Sequence, residues 1–229
     1  MTDSTSVATP APAPVVALIL AGGSGNRCGT HLPKQFLEVR GETILHHTLS
    51  AFQGIADHIL VVCRDEWQHY AHPHLTAPAG ATGFESLRNG VAALHAFPDA
   101  SLIMIHDAVR PLVTPEVLTA NLAVARQFGN AITSVETYET LLYTPMADGR
   151  VTTTTDREGM WRAQTPQTFT LGTLRAMMAE AKQRCISDAQ SACILASQLG
   201  YQLHISPGDF RNFKITTPSD LALYETLIP

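Results

Sequence analysis

The run Ala17-Leu-Ile-Leu-Ala-Gly-Gly-Ser-Gly-Asn-Arg27, followed by Leu32-Pro-Lys34-Gln-Phe, gathers three glycines and two cations into one short span. Gly22, Gly23 and Gly25 leave backbone N–H groups free to approach phosphate oxygens, and Arg27 and Lys34, seven residues apart, bring positive charge to the same place. This suits a ligand with several phosphates, whose charge density offsets the cost of ordering the cations. It is neither of two familiar phosphate loops. A dinucleotide fingerprint starting at Gly23 would need glycine or alanine where Cys28 stands, and no Gly-Lys-Ser/Thr is present. Three glycines leaving a strand would alone fit a plain turn equally well; Arg27 and Pro33-Lys34 favour phosphate.

Further along, Ile105-His-Asp-Ala-Val-Arg-Pro111 places Asp107 where it could hold a divalent metal or a ribose hydroxyl. The simpler reading of Asp107 and Arg110 is a loop ion pair, and His106 reads as a hydrogen-bonded structural histidine. Arg157, in Thr155-Asp-Arg157, is either a surface arginine or a fork that grips a phosphate monoester. Gln164-Thr-Pro-Gln167 reads as a structural turn. Lys214 lies in Asn212-Phe-Lys-Ile-Thr216, where a lysine among apolar neighbours either snorkels to solvent or meets an anion. Spacing suggests no Ser/His/Asp or Cys/His arrangement, so nothing calls for a covalent enzyme intermediate. Cations and backbone donors are the equipment of phosphoryl and nucleotidyl transfer.

The elements that position these groups read as follows. Val15 to Leu20 is a buried strand, Thr43 caps a helix through Phe52, and His58 to Cys63 is a second buried strand. A helix is expected over Ser86 to Phe97, strands over Ser101 to Ile105 and Ala131 to Val135, and helices over Leu171 to Arg184 and Asp188 to Leu199, the last started by Ser187. Gln202 to Ile205 and Phe213 to Ile215 read as strands, and Thr217-Pro218 opens a closing helix through Leu227. Apolar strands alternating with helices imply a mostly parallel sheet covered on both faces, with ligands at the strands' carboxyl ends. Between Thr137 and Thr155, two β-prone runs around Asp148-Gly149 read as a hairpin that lies apart or reaches a partner.

With 229 residues, 45% hydrophobic and 15% charged, the chain fits a globular α/β protein. A net charge of −5 argues against nucleic acid as the main partner and leaves room for a nucleotide in a local cationic pocket. Met1 to Pro14 is Ser/Thr/Ala/Pro-rich without a positive start, so a disordered tail is expected rather than a targeting signal, with one domain over 15–229. The apolar run behind it is far shorter than the roughly 18 residues that suggest a membrane span. The four cysteines show no C-x-x-C spacing and read as free thiols in a reducing, cytoplasmic setting.

Taken together and in order, Leu20 to Arg27 with Pro33-Lys-Gln35, His106 to Pro111, Asp156-Arg157 with Gln164 to Gln167, and Asn212 to Thr216 with Pro218-x-Asp220-Leu221 resemble the 2-C-methyl-D-erythritol 4-phosphate cytidylyltransferases of the non-mevalonate isoprenoid route. The resemblance spans about Val15 to Leu227. It implies a Rossmann-like nucleotidyltransferase fold with a protruding β-hairpin arm, about 137–160, and a homodimer whose arms complete each other's sites. It also implies transfer of CMP from CTP, with magnesium, onto a polyol phosphate. On this resemblance Arg27 and Lys34 stabilise the triphosphate and the charge on the α-phosphate, and Lys214 orients the reacting phosphates. Arg157 and Thr140 bind the methylerythritol phosphate from the partner arm. Ala21, Gly22, Gly23, Gly25 and Ser86 line the nucleotide, and Asp107 contacts ribose or metal. The pattern departs at Gly83, where an arginine is usual, at Ala189, where an acid is usual, and at Asn26. Two alternatives stand beside it: a ribitol 5-phosphate cytidylyltransferase, and a nucleotide-binding module without catalysis, against which Arg27, Lys34 and Lys214 argue.

Overall fold

A computed structural model describes residues 13–23, 32–145 and 149–228. The centre is a seven-stranded sheet built from β1 (Val15–Leu20), β4 (His58–Cys63), β5 (Leu75–Pro78), β6 (Leu102–Asp107), β7 (Asn130–Glu136), β10 (Trp161–Thr170) and β11 (Ile205–Pro207), in the order β11-β7-β10-β6-β1-β4-β5. All neighbours pair in parallel except β10, which runs antiparallel to both β6 and β7. A short ladder joins β2 (Glu38–Val39) to β3 (Glu42–Thr43), and a separate antiparallel pair joins β8 (Leu141–Tyr143) to β9 (Thr153–Thr155).

Alternation along β1 explains why both faces must be covered. Val16 and Leu18 point into a core with Phe84, Leu87, Leu174 and Leu195, from α2 (Gly83–Ala93), α4 (Leu171–Gln183) and α5 (Ala192–Gln198). Val15, Ala17 and Ile19 point the other way, against Leu45, Leu49, Leu118 and Leu122 of α1 (Ile44–Ala51) and α3 (Pro115–Phe128). A smaller cluster around buried Tyr224 anchors α6 (Pro218–Leu227) to Val39, Ile44, Val109 and Ile215. Thr217 caps α6 in a reciprocal box with Asp220.

Several expectations need correction. α2 starts at Gly83 rather than Ser86, because the Thr82 hydroxyl accepts from Glu85 N–H at 3.1 Å, a Thr-x-x-Glu start signal. It also ends at Ala93, short of Phe97. α5 starts at Ala192 rather than Asp188, capped by Ser191 and not Ser187. Phe213 to Ile215 is not a strand, although Ile215 N–H donates to Val109 C=O at 2.9 Å. The edge strand β11 begins only at Ile205. Most of the expected tail, 1–12, lies outside the described residues, whereas Pro14 C=O already accepts from Leu102 N–H at 2.9 Å.

The largest correction is β10, which replaces the expected turn at Gln164 to Gln167. Its residues are polar and include Pro166, yet it lies mid-sheet. Two features permit this. The register shifts between Ala163 and Gln167, so Pro166 sits in an irregularity where no ladder donor is needed. The Nδ2 of fully buried Asn121 of α3, with two hydrogens to share, lies within hydrogen-bond reach of Thr133 Oγ1 (3.0 Å), Ser206 Oγ (2.9 Å) and Pro166 C=O (3.2 Å), and its Oδ1 accepts from Thr168, giving polar partners that an apolar helix face would lack.

Gly90 carries the α2 packing. A Cβ there would lie 2.8 Å from Leu18 Cδ1 and 2.9 Å from Val62 Cγ2. Helix propensity favours alanine by roughly 0.5–1 kcal/mol, while overpacking a tight core costs roughly 1–3 kcal/mol. The second effect wins: Gly90→Ala should lower the denaturant unfolding free energy by about 1 kcal/mol, and an equal or higher value contradicts the packing described.

Candidate active site

A cavity of about 830 Å³ opens at the carboxyl ends of β1, β4 and β6. One wall is the start of the glycine loop. Gly22 passes so close to the 79–86 segment that a Cβ on it would lie 2.6 Å from Ala79 Cβ, so no larger residue fits without movement. Gln35 holds this backbone from outside, donating through Nε2 to Ala21 C=O (2.7 Å) and Gly23 C=O (2.9 Å). Gln35 sits in a 3-10 turn, Lys34–Phe36, and that turn thereby brings Lys34 to the cavity. The facing wall turns on Ser86, whose hydroxyl accepts from Gly80 N–H (3.0 Å) and donates to Thr82 C=O (2.9 Å).

The floor is Asp107. Its Oδ2 accepts from Arg110 Nε at 2.8 Å and its Oδ1 from Lys214 Nζ at 2.9 Å. Burial pushes the carboxyl's pKa up, but Lys214 and Arg110 outweigh it and hold it at about 2, so Asp107 is ionised. Arg110 also donates to Asn212 C=O at 2.8 Å, and buried Asn212 donates to Thr165 C=O at 2.8 Å. Lys214 is therefore delivered by a loop whose neck is bolted to β6 and β10. Lys34 adds its field to the same region. Burial raises the Asp220 carboxyl's pKa, but N–H donors of Thr217 and Thr216 together with Lys34 bring it below the usual range.

Beneath Asp107 runs an uncharged relay. Thr165 Oγ1 accepts from Asp107 N–H (3.2 Å) and lies 2.9 Å from His106 Nδ1, while His106 Nε2 lies 3.2 Å from Arg110 C=O. A carbonyl only accepts, so Nε2 carries the proton, Nδ1 accepts, and the threonine hydroxyl donates to it. His106 is fully buried and packs edge-on to Phe52 at 5.1 Å between ring centroids. Burial, aided by Arg110 and Lys214, pushes its pKa down to about 4. The expectation of a structural histidine fits this geometry.

Ala21, Gly22, Gly23, Lys34, Ser86, Asp107 and Lys214 all border the one cavity. Gly25 and Arg27 lie outside the described residues. Thr140 and Arg157 are exposed beside the β8–β9 pair and do not border their own chain's cavity; Arg157 Nη1 donates to Tyr138 C=O at 2.9 Å. Sequence reasoning missed Gln35 and Thr165 as positioning groups, although both lie inside the motifs that carry the resemblance. It also missed Arg64 and the Gln167–Cys193 wall, where Gln167 Oε1 accepts from Cys193 N–H at 2.9 Å. Among the described residues no three His, Cys, Asp or Glu side chains cluster to hold a metal, and no helix is long and apolar enough to cross a membrane.

A family profile described as 2-C-methyl-D-erythritol 4-phosphate cytidylyltransferase matches residues 15–229. The chain is 36% identical over 227 residues to the 2-C-methyl-D-erythritol 4-phosphate cytidylyltransferase of Geotalea uraniireducens, covering 93% of this chain and 96% of that protein. It is 34% identical over 226 residues to the ribitol-5-phosphate cytidylyltransferase of Streptococcus agalactiae, covering 93% and 94%. The crystal structure of the 2-C-methyl-D-erythritol 4-phosphate cytidylyltransferase from Thermus thermophilus is similar at a TM-score of 0.75 and 32% identity, covering 93% of this chain and 98% of that one.

The two titratable groups at the floor set a pH dependence. His106 has a pKa of about 4 in the fold against an ordinary 6.5, so the unfolded chain binds its proton first and stability falls as pH drops from 6.5 toward 4. Asp107, at about 2 against 3.8, contributes stability present above 3.8 and lost as pH falls toward 2. The melting midpoint should therefore decline from pH 6.5 to 4, and His106→Gln should flatten that decline. An equally steep decline in the variant would show that His106 is not its source.

Proposed function

The chain belongs to the 2-C-methyl-D-erythritol 4-phosphate cytidylyltransferase family, and from that premise we propose that it transfers CMP from CTP to 2-C-methyl-D-erythritol 4-phosphate, releasing pyrophosphate. The observation that carries this reading is the convergence of Lys34, Lys214, ionised Asp107 and the Gly22–Gly23 backbone on one cavity at the sheet's carboxyl edge. In this reading an oxygen of the polyol phosphate attacks the α-phosphorus of CTP in line, and the bond to the pyrophosphate oxygen breaks. Lys34 and Arg27 take up charge growing on the α-phosphate and the leaving group, and Lys214 orients the attacking phosphate against it. That phosphate is already anionic at neutral pH, with a second pKa of about 6, so no strong base is required. Asp107 is the group that would hold magnesium. Its carboxylate is ionised at the cavity, bonded to Arg110 and Lys214, and suits an ion that binds through one or two carboxylates and its substrate's phosphates; such an ion would supply charge neutralisation there.

The β8–β9 segment is read as the arm of a cytoplasmic homodimer, which brings Arg157 and Thr140 to the polyol phosphate across the subunit boundary. Tyr138, Leu142 and Tyr143, exposed by 62%, 59% and 58%, suit a segment that is covered by a partner. A ribitol 5-phosphate cytidylyltransferase is the second reading, supported by the 34% identical streptococcal relative. The two share the CTP machinery and differ in the polyol.

Purified chain with CTP, magnesium and 2-C-methyl-D-erythritol 4-phosphate should release pyrophosphate much faster than with ribitol 5-phosphate. Faster release with ribitol 5-phosphate moves the assignment to the second reading, and release with neither leaves a nucleotide-binding module. Lys214→Ala should cut turnover by roughly a hundredfold or more with the fold intact, and a near-normal rate would remove Lys214 from the mechanism. Mixing inactive Arg157→Ala and Lys214→Ala chains should restore part of the activity if Arg157 works across subunits; no restoration argues for a site complete within one chain.

A further inference from the structure

We propose that Arg64 is a nucleotide-binding residue that grips the phosphate chain of CTP from the side of the cavity opposite Asp107; the assignment rests on the cytidylyltransferase reading. Arg64 directly follows β4, at the carboxyl edge of the sheet, and is one of the residues that border the main cavity. It also borders an adjoining recess of about 350 Å³ that it shares with Pro78 to Ala81.

The distribution of charge around the cavity singles it out. Of the lining side chains, Lys34, Arg64, Arg110 and Lys214 are cationic and Asp107 is the carboxylate. Arg110 and Lys214 both spend their charge on Asp107, at 2.8 and 2.9 Å, and Lys34 acts on Asp220. Along the wall from Ala79 to Leu87 there is no lysine or arginine, and Glu85 turns its carboxylate back onto Ala81 N–H at 2.7 Å. Among the described residues that wall carries no cation of its own, and Arg64 borders it from the end of β4.

The competing account is an ordinary solvated arginine neutralised by its sequence neighbours, Asp65 and Glu66. The structure does not pair them: among the described residues the Arg64 side chain makes neither an ion pair nor a hydrogen bond. A guanidinium left open at the edge of the cavity has the planar fork that matches two phosphate oxygens at once, which a lysine at the same place lacks. Gly83 leaves the approach unobstructed, since a Cβ there would have nothing within 4 Å.

The test is a calorimetric titration of the full chain with magnesium and CTP, in the absence of any polyol, repeated with inorganic pyrophosphate. Arg64→Ala should weaken both ligands by roughly tenfold, as loss of a charge-assisted pair does. Arg64→Lys should fall between the variant and the wild type, and Arg126→Ala, an exposed arginine away from the cavity, should bind as the wild type does. Unchanged CTP binding in Arg64→Ala, with wild-type melting behaviour, overturns the assignment of Arg64 and leaves the functional reading standing. Weakened CTP with unchanged pyrophosphate overturns the phosphate contact in favour of the base or ribose. Failure of the wild-type chain to bind CTP overturns both.

Discussion

The site depends on one carboxylate kept charged where burial alone would neutralise it. Asp107 stands at the end of a central strand, and its desolvation opposes ionisation; Lys214 and Arg110, each on its own carboxylate oxygen, reverse the balance. Those two cations come from places 107 and 3 residues away in sequence. The pairing therefore does more than hold a charge. It ties the C-terminal loop to the middle of the sheet and fixes where the cavity's positive charge is presented. Replacing Asp107 by a neutral residue would leave two cations facing each other with no countercharge, a worse outcome than losing one hydrogen bond.

Around this charge the polar groups are satisfied in series. The Asp107 N–H, the Thr165 hydroxyl, the His106 ring and the Arg110 carbonyl form one line of bonds between 2.9 and 3.2 Å. Asn212 closes the neighbouring gap to Thr165 C=O. The partners accommodate the neutral His106 that its burial favours, with the ring's one N–H spent on the Arg110 carbonyl. The irregularity in β10 between Ala163 and Gln167 is what lets Gln164 and Thr165 face the cavity from an interior strand.

Much of this was legible in the residues. The apolar runs at Val15 to Leu20 and His58 to Cys63 match β1 and β4 residue for residue, because strands buried on both faces leave an unbroken hydrophobic signature. Asp107 stands out just past an apolar strand, Lys34 beside the glycine loop and Lys214 as a cation among apolar neighbours, and all three border the cavity. β10 was not legible, since Asn121, distant in sequence, supplies the partners that make a polar interior strand tolerable. Arg64 was equally hidden. It belongs to no motif, and only the fold shows that the residue after β4 borders the glycine wall.

The exposure of the two cations on Asp107 assigns them different work. Arg110 is 12% exposed and carries a second bond to Asn212, so displacing it would break the loop's attachment as well as the ion pair. Lys214 is 46% exposed, although its carboxylate partner is only 19% exposed, so water screens the lysine end of this pair more than the arginine end of the other. Of the two cations, Lys214 is thus the one with room to turn toward solvent, while Arg110 is held in place by its second bond. The ion pair orders Lys214 at the cavity's edge while Arg110 anchors the loop, and that division follows from how much of each side chain the fold leaves in water.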